Sequence, residues 1–243
     1  MNNHVLLNNI DHKDVRVITR RGAQFGDSVN LAVSFPAEFR DLQAHYPIVF
    51  RKTNEGAANE RNGFEPVALF GFQDGENLFL DGDQWDAAYL PLAIERQPFM
   101  IGVSAAGNDP MVYIDAASPR VSTTEGEPAF LPHGGNTEFL ERSNAILLSI
   151  YQGIDASAAF IAALLEHALL ESFVFDIELD DGSLNRLAGL YTINEDKLAA
   201  LDGAALARLH QGGHLQSIYM VLASMSNFRD LIERKNQRHA STR

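Results

Sequence analysis

Apolar and polar positions alternate with a short period through the first half of the chain and repeat with a helical period through the second. "VRVIT" (15–19) alternates, and "VNLAVSF" (29–35) runs until Pro36 stops it. "IVF" (48–50), "PVALFGF" (66–72), "NLFL" (77–80), "FMIGVS" (99–104) and "MVYID" (111–115) are short β-branched or aromatic runs set between Gly, Asn, Asp and Pro. That spacing predicts strands of a mostly antiparallel sheet. "PAEFRDLQAHYP" (36–47) puts Pro36 at a first helical position with Phe39 and Leu42 on one side, which predicts a short helix. "RKTNEGAANERNG" (51–63) is polar and glycine-bearing and predicts a mobile loop.

The second half predicts helices and one hairpin. "NTEFLERSNAILLSIY" (136–151) has Asn136 as its cap and Gly153 as its stop, and "DASAAFIAALLEHALLESF" (155–173) starts a second helix at Asp155. "FVFDIEL" (173–179) alternates, "DDGS" turns the chain, and "LNRLAGLYTI" (184–193) returns. Asn194 and Asp202 read as N-caps of two short helices, "QGG" (211–213) stops the second, and a last helix is expected from about 214 to 236. The expectation is a single α+β domain over residues 1–243. An N-terminal mostly antiparallel sheet region (about 1–131) packs against a C-terminal helical region (about 132–243) that carries one β-hairpin, with "PHGGN" (132–136) as the boundary.

Composition narrows the chemistry. The chain of 243 residues has no cysteine, which excludes disulfides, thiolate nucleophiles and iron–sulfur clusters. No run of 18 apolar residues occurs, so no membrane span is expected. "MNNHVLLNNIDHKD" has no basic start and no long apolar stretch, so it does not read as a secretory signal, and a cytoplasmic location is expected. The net charge of −13 argues against nucleic acid as a partner. The tail "RDLIERKNQRHASTR" (229–243) runs the other way, with a net +3, and reads as a solvated helix end. The acidic turn at Asp180 and Asp181 discourages edge-to-edge pairing of the hairpin, so a monomer or weak homodimer is expected.

The densest stretch is "GENLFLDGDQWDAAYLPLAIERQPF" (75–99), where Asp81, Asp83 and Asp86 surround the lone Trp85. Counted from Asp81 it fails the calcium-loop pattern, because Trp85, Asp86 and Leu92 fall where an oxygen ligand, glycine and glutamate belong. "DGD" reads first as a turn, with Pro91 opening a short helix and Pro98 stopping it. If 85–89 were helical, Trp85 and Tyr89 would share a face. "IDAASPRV" (114–121) brings Asp115 and Arg120 close in sequence, as an ion pair pinning the turn or as an arginine that takes a carboxylate or phosphate. The ligand-binding candidates are therefore Asp83, Trp85, Asp86, Tyr89, Asp115 and Arg120. "HQGGH" (210–214) makes His210 and His214 weak metal candidates, but the two glycines break the helix that would align them. "GVSAA" (102–106) matches a nucleophile elbow only loosely, and no phosphate loop or dinucleotide fingerprint is present. No cofactor is expected.

Several blocks together resemble the SapC family of bacterial proteins. They are "HYPIVF" (45–50), "PVALFGFQDGENLFLDGDQWDAAYLPLAIERQPFMIG" (66–102), "IDAASPRV" (114–121) and "LAGLYTINEDKLAALDGAALARLHQGGHLQSIYMVLASMSNFRDLIER" (187–234). The likeness covers roughly 20 to 235, leaving out the first 20 residues and the loop 51–63. It implies association with surface-layer loci, peptide transport, TonB-dependent receptors or tryptophan-halogenase-like flavoproteins, and it transfers no catalytic residue. The leading expectation is a soluble, non-catalytic binding or accessory protein with an unknown protein or small-molecule partner. The alternatives are an enzyme using carboxylate chemistry through Asp83, Asp86, Asp115 and Arg120, and a surface-layer-associated protein.

Overall fold

The computed structural model describes residues 3–53, 63–103 and 109–241. In chain order the strands are β1 (His4–Leu6), β2 (Arg16–Val17), β3 (Leu31–Val33), β4 (Ile48–Lys52), β5 (Phe64–Leu69), β6 (Leu80–Asp81) and β7 (Gln84–Trp85). They continue with β8 (Phe99–Val103), β9 (Pro110–Asp115), β10 (Val121–Ser122), β11 (Glu127–Pro128), β12 (Leu170–Glu178) and β13 (Leu184–Ile193). The α-helices are α1 (Phe39–Leu42), α2 (Leu92–Glu95), α3 (Glu138–Glu166), α4 (Glu195–Ala199), α5 (Gly203–Gln211), α6 (His214–Ser224) and α7 (Asn227–Ser241). The fold is α+β, its strand pairs antiparallel among the described residues and its C-terminal region helical. The loop expected over 51–63 falls largely, and the "GVSAA" motif partly, outside the described residues. The chain forms two compact units.

The first unit comprises Met1–Ser28, Leu80–Asp86 and Leu92–Gln152. It holds two three-stranded sheets, ordered β1-β9-β8 and β10-β2-β11, and the two-stranded ribbon β6-β7. Its core gathers Val17, Phe99, Ile114, Ala129, Phe130, Leu140 and Leu147, with Val5, Leu7, Ile101 and Phe139 packed around them. The alternating run "VRVIT" yields only the two residues of β2. The reason is local: the Ile18 N–H donates to the Arg120 carbonyl, and the Ile18 carbonyl is taken by the Arg120 guanidinium. The backbone groups that would extend the ladder are spent on one side chain and its turn.

The second unit comprises Val29–Phe79, Ala87–Pro91 and Gly153–Arg243. Its five-stranded sheet is ordered β12-β13-β4-β5-β3. The hairpin β12–β13, contributed by the second half of the chain, thus completes a sheet begun in the first half. Phe39, Tyr46, Ile48, Phe50, Phe70 and Phe160 are fully buried here. "NLFL" is not a strand as expected. Asn77 Oδ1 accepts the Phe79 N–H at 3.0 Å, an Asx-type turn that diverts the chain before β6. Asn194 and Asp202 cap as the sequence predicts, accepting from Lys197 N and Ala205 N, but α3 is capped by Thr137, whose Oγ1 accepts the Leu140 N–H at 3.2 Å, and not by Asn136.

Two helical expectations are corrected. The helix expected from 214 to 236 breaks after Ser224. The Ser224 and Ser226 hydroxyls donate back to the Val221 and Ala223 carbonyls, competing with the helix's own bonds. The two helices expected on either side of Gly153 are instead one, the 29-residue α3. Gly153 sits within it because a Cβ there would lie 2.2 Å from Phe35 Cδ2, so close packing and not termination explains the glycine. The uninterrupted α3 is long and apolar enough to cross a membrane by length and composition alone. It lends Leu140 and Leu147 to the core of the first unit, and Phe160 and Leu164 to that of the second.

Candidate functional site

Among the described residues of the first unit, Arg120 engages five acceptors. It follows Ser118 and Pro119 in the turn after β9, 1% exposed, and faces Asp27, which is 0% exposed. Nη2 reaches both Asp27 carboxylate oxygens at 2.6 Å. Nη1 donates to the carbonyls of Ile18 and Arg20 at 2.9 Å each, and Nε to Gln97 Oε1 at 3.3 Å. A guanidinium has five N–H donors in a rigid plane, and here five acceptors receive them. The geometry turns a costly buried charge into a joint that ties 18–27, 97 and 120 together.

Asp27 is presented by a short segment with a glycine at either end. A single 3-10 turn, Ala23–Phe25, lies between Gly22 and Gly26, and Gly26 has φ 88, the left-handed conformation that favours glycine. The Gly22 N–H donates to Asp27 Oδ2 at 2.8 Å. Phe25 is buried beneath the segment, and the guanidiniums of Arg20 and Arg120 lie 5.3 and 5.6 Å from its ring centroid. Arg21 Nη1 approaches Asp27 Oδ1 at 3.8 Å and the Ile94 carbonyl at 3.5 Å, with 14% of its side chain exposed. Burial, then repulsion from Arg120, lowers the Arg21 pKa, while Asp27 and Glu95 oppose the shift.

The sequence-derived candidates fall in different places. The ion pair expected between Asp115 and Arg120 does not form. Asp115 Oδ1 accepts the N–H groups of Asn3 and Ala117 at 3.2 and 3.1 Å, folding its own turn, while Arg120 turns to Asp27. "DGDQW" is the corner the sequence suggests: Gly82 and Asp83 close the ribbon β6–β7, in which Leu80 pairs with Trp85. Trp85 is half-buried in a strand, so the helical face shared with Tyr89 does not exist. Asp83 and Asp86 are exposed, and the Asp83 carbonyl accepts the Arg21 N–H at 3.2 Å.

Tyr89 belongs to the second unit, where its hydroxyl donates to Glu38 Oε1 at 3.1 Å. Glu38 is 2% exposed and also accepts from Ser34 Oγ at 2.8 Å. The Tyr46 hydroxyl donates to the Tyr89 carbonyl. The basic tail is not merely solvated. Lys235 is buried against Glu76, the Arg238 guanidinium donates to the Asn77 carbonyl at 2.7 Å, and Arg234 lies 4.5 Å from the Phe79 centroid. His210 is exposed at the end of α5, and His214 opens α6 with its ring 5.8 Å from that of Phe160. No cluster of three metal-ligating side chains occurs among the described residues.

Asp27, Arg21 and Glu38 escaped the sequence reading. Asp27 follows a glycine and reads as an ordinary turn, and its partner lies 93 residues away. Glu38 sits in a helical first turn, where an acid is expected to be solvated.

A family model described as SapC matches residues 7–231 of the chain, beginning well before residue 20 and spanning the loop 51–63. No curated protein and no solved structure matches the chain.

Proposed function

Since the chain belongs to the SapC family, we propose that it is a non-catalytic binding or accessory protein, linked through its family's associations to peptide or nutrient uptake or to tryptophan-halogenase-type systems. The observation that carries this reading is how the buried charge is used. Arg120 has five acceptors for its five donors, and Asp27, Glu38 and Glu76 each receive hydrogen bonds from neighbouring groups that fix loops and turns. A catalytic acid or base needs a proton it can exchange with a substrate. These groups are instead committed to backbone and side-chain partners of the fold.

The test is direct. Purified protein is incubated with peptides, free amino acids and 2-oxoglutarate, and products are followed by mass spectrometry. No turnover above buffer is the expected result, and reproducible turnover overturns the reading. A cytoplasmic location and a monomer or weak homodimer go with this proposal, to be checked by cell fractionation and light scattering.

A further inference from the structure

We propose that Arg21 is the recognition point of an oxyanion-binding site in the first unit, taking the carboxylate or phosphate group of a small molecule or peptide on the edge formed by its Nε and Nη2. The inference rests on reading the chain as a binding protein and names the chemistry it would bind.

Asp27 cannot serve both arginines equally. Arg120 holds both of its oxygens at 2.6 Å, and Gly22 N–H adds a third bond at 2.8 Å. Arg21 is left with an approach of 3.8 Å through Nη1, beyond hydrogen-bonding distance, and a long bond of 3.5 Å from the same nitrogen to Ile94 O. Among the described residues, Nε and Nη2 have no acceptor. These two nitrogens form the flat side of the guanidinium, the edge that matches the two oxygens of a carboxylate or phosphate.

That edge opens to solvent. The sealed, unbonded side-chain atoms among the described residues are Asn144 Oδ1 and Ser183 Oγ, and neither belongs to Arg21. With 14% of its side chain exposed, Arg21 is recessed yet reachable. Its backbone is pinned by the bond from its N–H to Asp83 O at 3.2 Å, so little freedom is lost when a ligand docks.

The unbonded edge of Arg21, and not an excess of local charge, calls for an anion. Arg120 and Arg21 are matched in number by Asp27 and Glu95, but Asp27 is held by Arg120, which leaves the Nε and Nη2 edge of Arg21 without an acceptor among the described residues. Burial and then repulsion from Arg120 disfavour the charged form of Arg21, and a bound oxyanion would offset both with an opposite charge at short range. The chain as a whole carries −13, so non-specific attraction of anions to the surface is opposed, and binding has to come from short-range contacts at this edge.

The experiment is calorimetric titration of the full chain with sodium succinate and, separately, with inorganic phosphate, each against sodium chloride at matched ionic strength. Saturable heat with one or both oxyanions and none with chloride is expected, and the arm that binds more tightly identifies the ligand group. Arg21→Gln should weaken binding about tenfold or more, and Arg21→Lys, which keeps the charge but loses the planar edge, should also weaken it. Arg20→Gln removes an equal charge from an exposed arginine paired with Glu125 and should leave binding intact. Absence of saturable binding by either oxyanion overturns the site, as does affinity unchanged in Arg21→Lys or lost equally in Arg20→Gln. Should Arg21→Gln fail to fold, the lysine variant decides. Failure here leaves the non-catalytic reading standing, since that reading falls only on turnover.

Discussion

Arg120 Nη2 lies 2.6 Å from both carboxylate oxygens of Asp27, a residue 93 positions earlier, and both side chains are sealed from solvent. The pair joins the loop before β3 to the turn after β9, and its value lies in its completeness. Arg120→Met would strip Asp27 of this guanidinium in a dry site and should cost about 3–5 kcal/mol. Arg120→Lys should lose much of the same, because an ammonium offers three donors in place of a planar five. Urea denaturation measures both, and a loss below about 1 kcal/mol for Arg120→Met would show that the pair does not hold the fold. Removing both charges in Asp27→Leu with Arg120→Met should cost less than the sum of the single changes.

Gly153 lies inside α3, where alanine would ordinarily be favoured by about 1 kcal/mol. Its surroundings reverse that preference. A Cβ would meet the ring of Phe35 at 2.2 Å, and Phe35 is buried. Gly153→Ala should therefore destabilise the protein by about 1–2 kcal/mol net, overpacking outweighing propensity. In a Phe35→Leu background the same change should become neutral or stabilising. A gain in stability from Gly153→Ala alone would mean that the ring yields easily.

What the sequence made legible here was local. Asn194 and Asp202 cap helices because the accepting side chain and the donating amide are three residues apart, and Pro36 opens a helix because its own ring presets φ. The hairpin β12–β13 was readable from alternation around an acidic turn. Gly153 was misread because a glycine that ends a helix and a glycine that admits a neighbouring ring look alike until Phe35 is placed beside it. Arg120 was singled out, but its partner was sought five residues away, at Asp115. A buried ion pair satisfies chemistry and not periodicity, so nothing in the run "FGDSV" marks Asp27 as its acceptor. Tyr89 and Trp85 were grouped by spacing, yet one is held by Glu38 in the second unit while the other pairs with Leu80 in the first.

A lone tryptophan is more often a core residue than a ligand platform. In the ribbon β6–β7 Trp85 is half-buried and paired across to Leu80. Trp85→Ala should cost about 1–2 kcal/mol, short of the ~3–5 kcal/mol of a fully buried aromatic. Thermal melts decide, and a loss at the upper figure would show that the ribbon is far more tightly packed than its exposure implies.

The C-terminal helix should matter through Lys235 more than through its other cations. Lys235 is 5% exposed against Glu76, whose other oxygen accepts the Phe72 N–H at 2.9 Å. Lys235→Ala removes the charge that balances a nearly dry carboxylate and should cost about 2–4 kcal/mol. Arg229, exposed on the same helix, should change stability by less than about 0.5 kcal/mol when replaced by alanine. Equal effects of the two substitutions in chemical denaturation would sink the claim.

His214 gives stability a pH dependence whose sign follows from burial. Its ring lies against Phe160, and burial lowers its pKa from the ordinary value. The unfolded chain takes up this proton near pH ~6.5, whereas the folded chain resists it until a lower pH. Between those two points the unfolded state binds more protons, so stability falls as pH falls. The contribution of neutral His214 is complete above the unfolded value and is lost as pH drops toward the folded one. His214→Phe keeps an aromatic ring beside Phe160 and has no proton to gain. The melting temperature of the variant relative to the unaltered protein should therefore rise steadily between about pH 7.5 and pH 5.5. A difference that stays constant over that range would mean that the imidazole is solvated in the folded state.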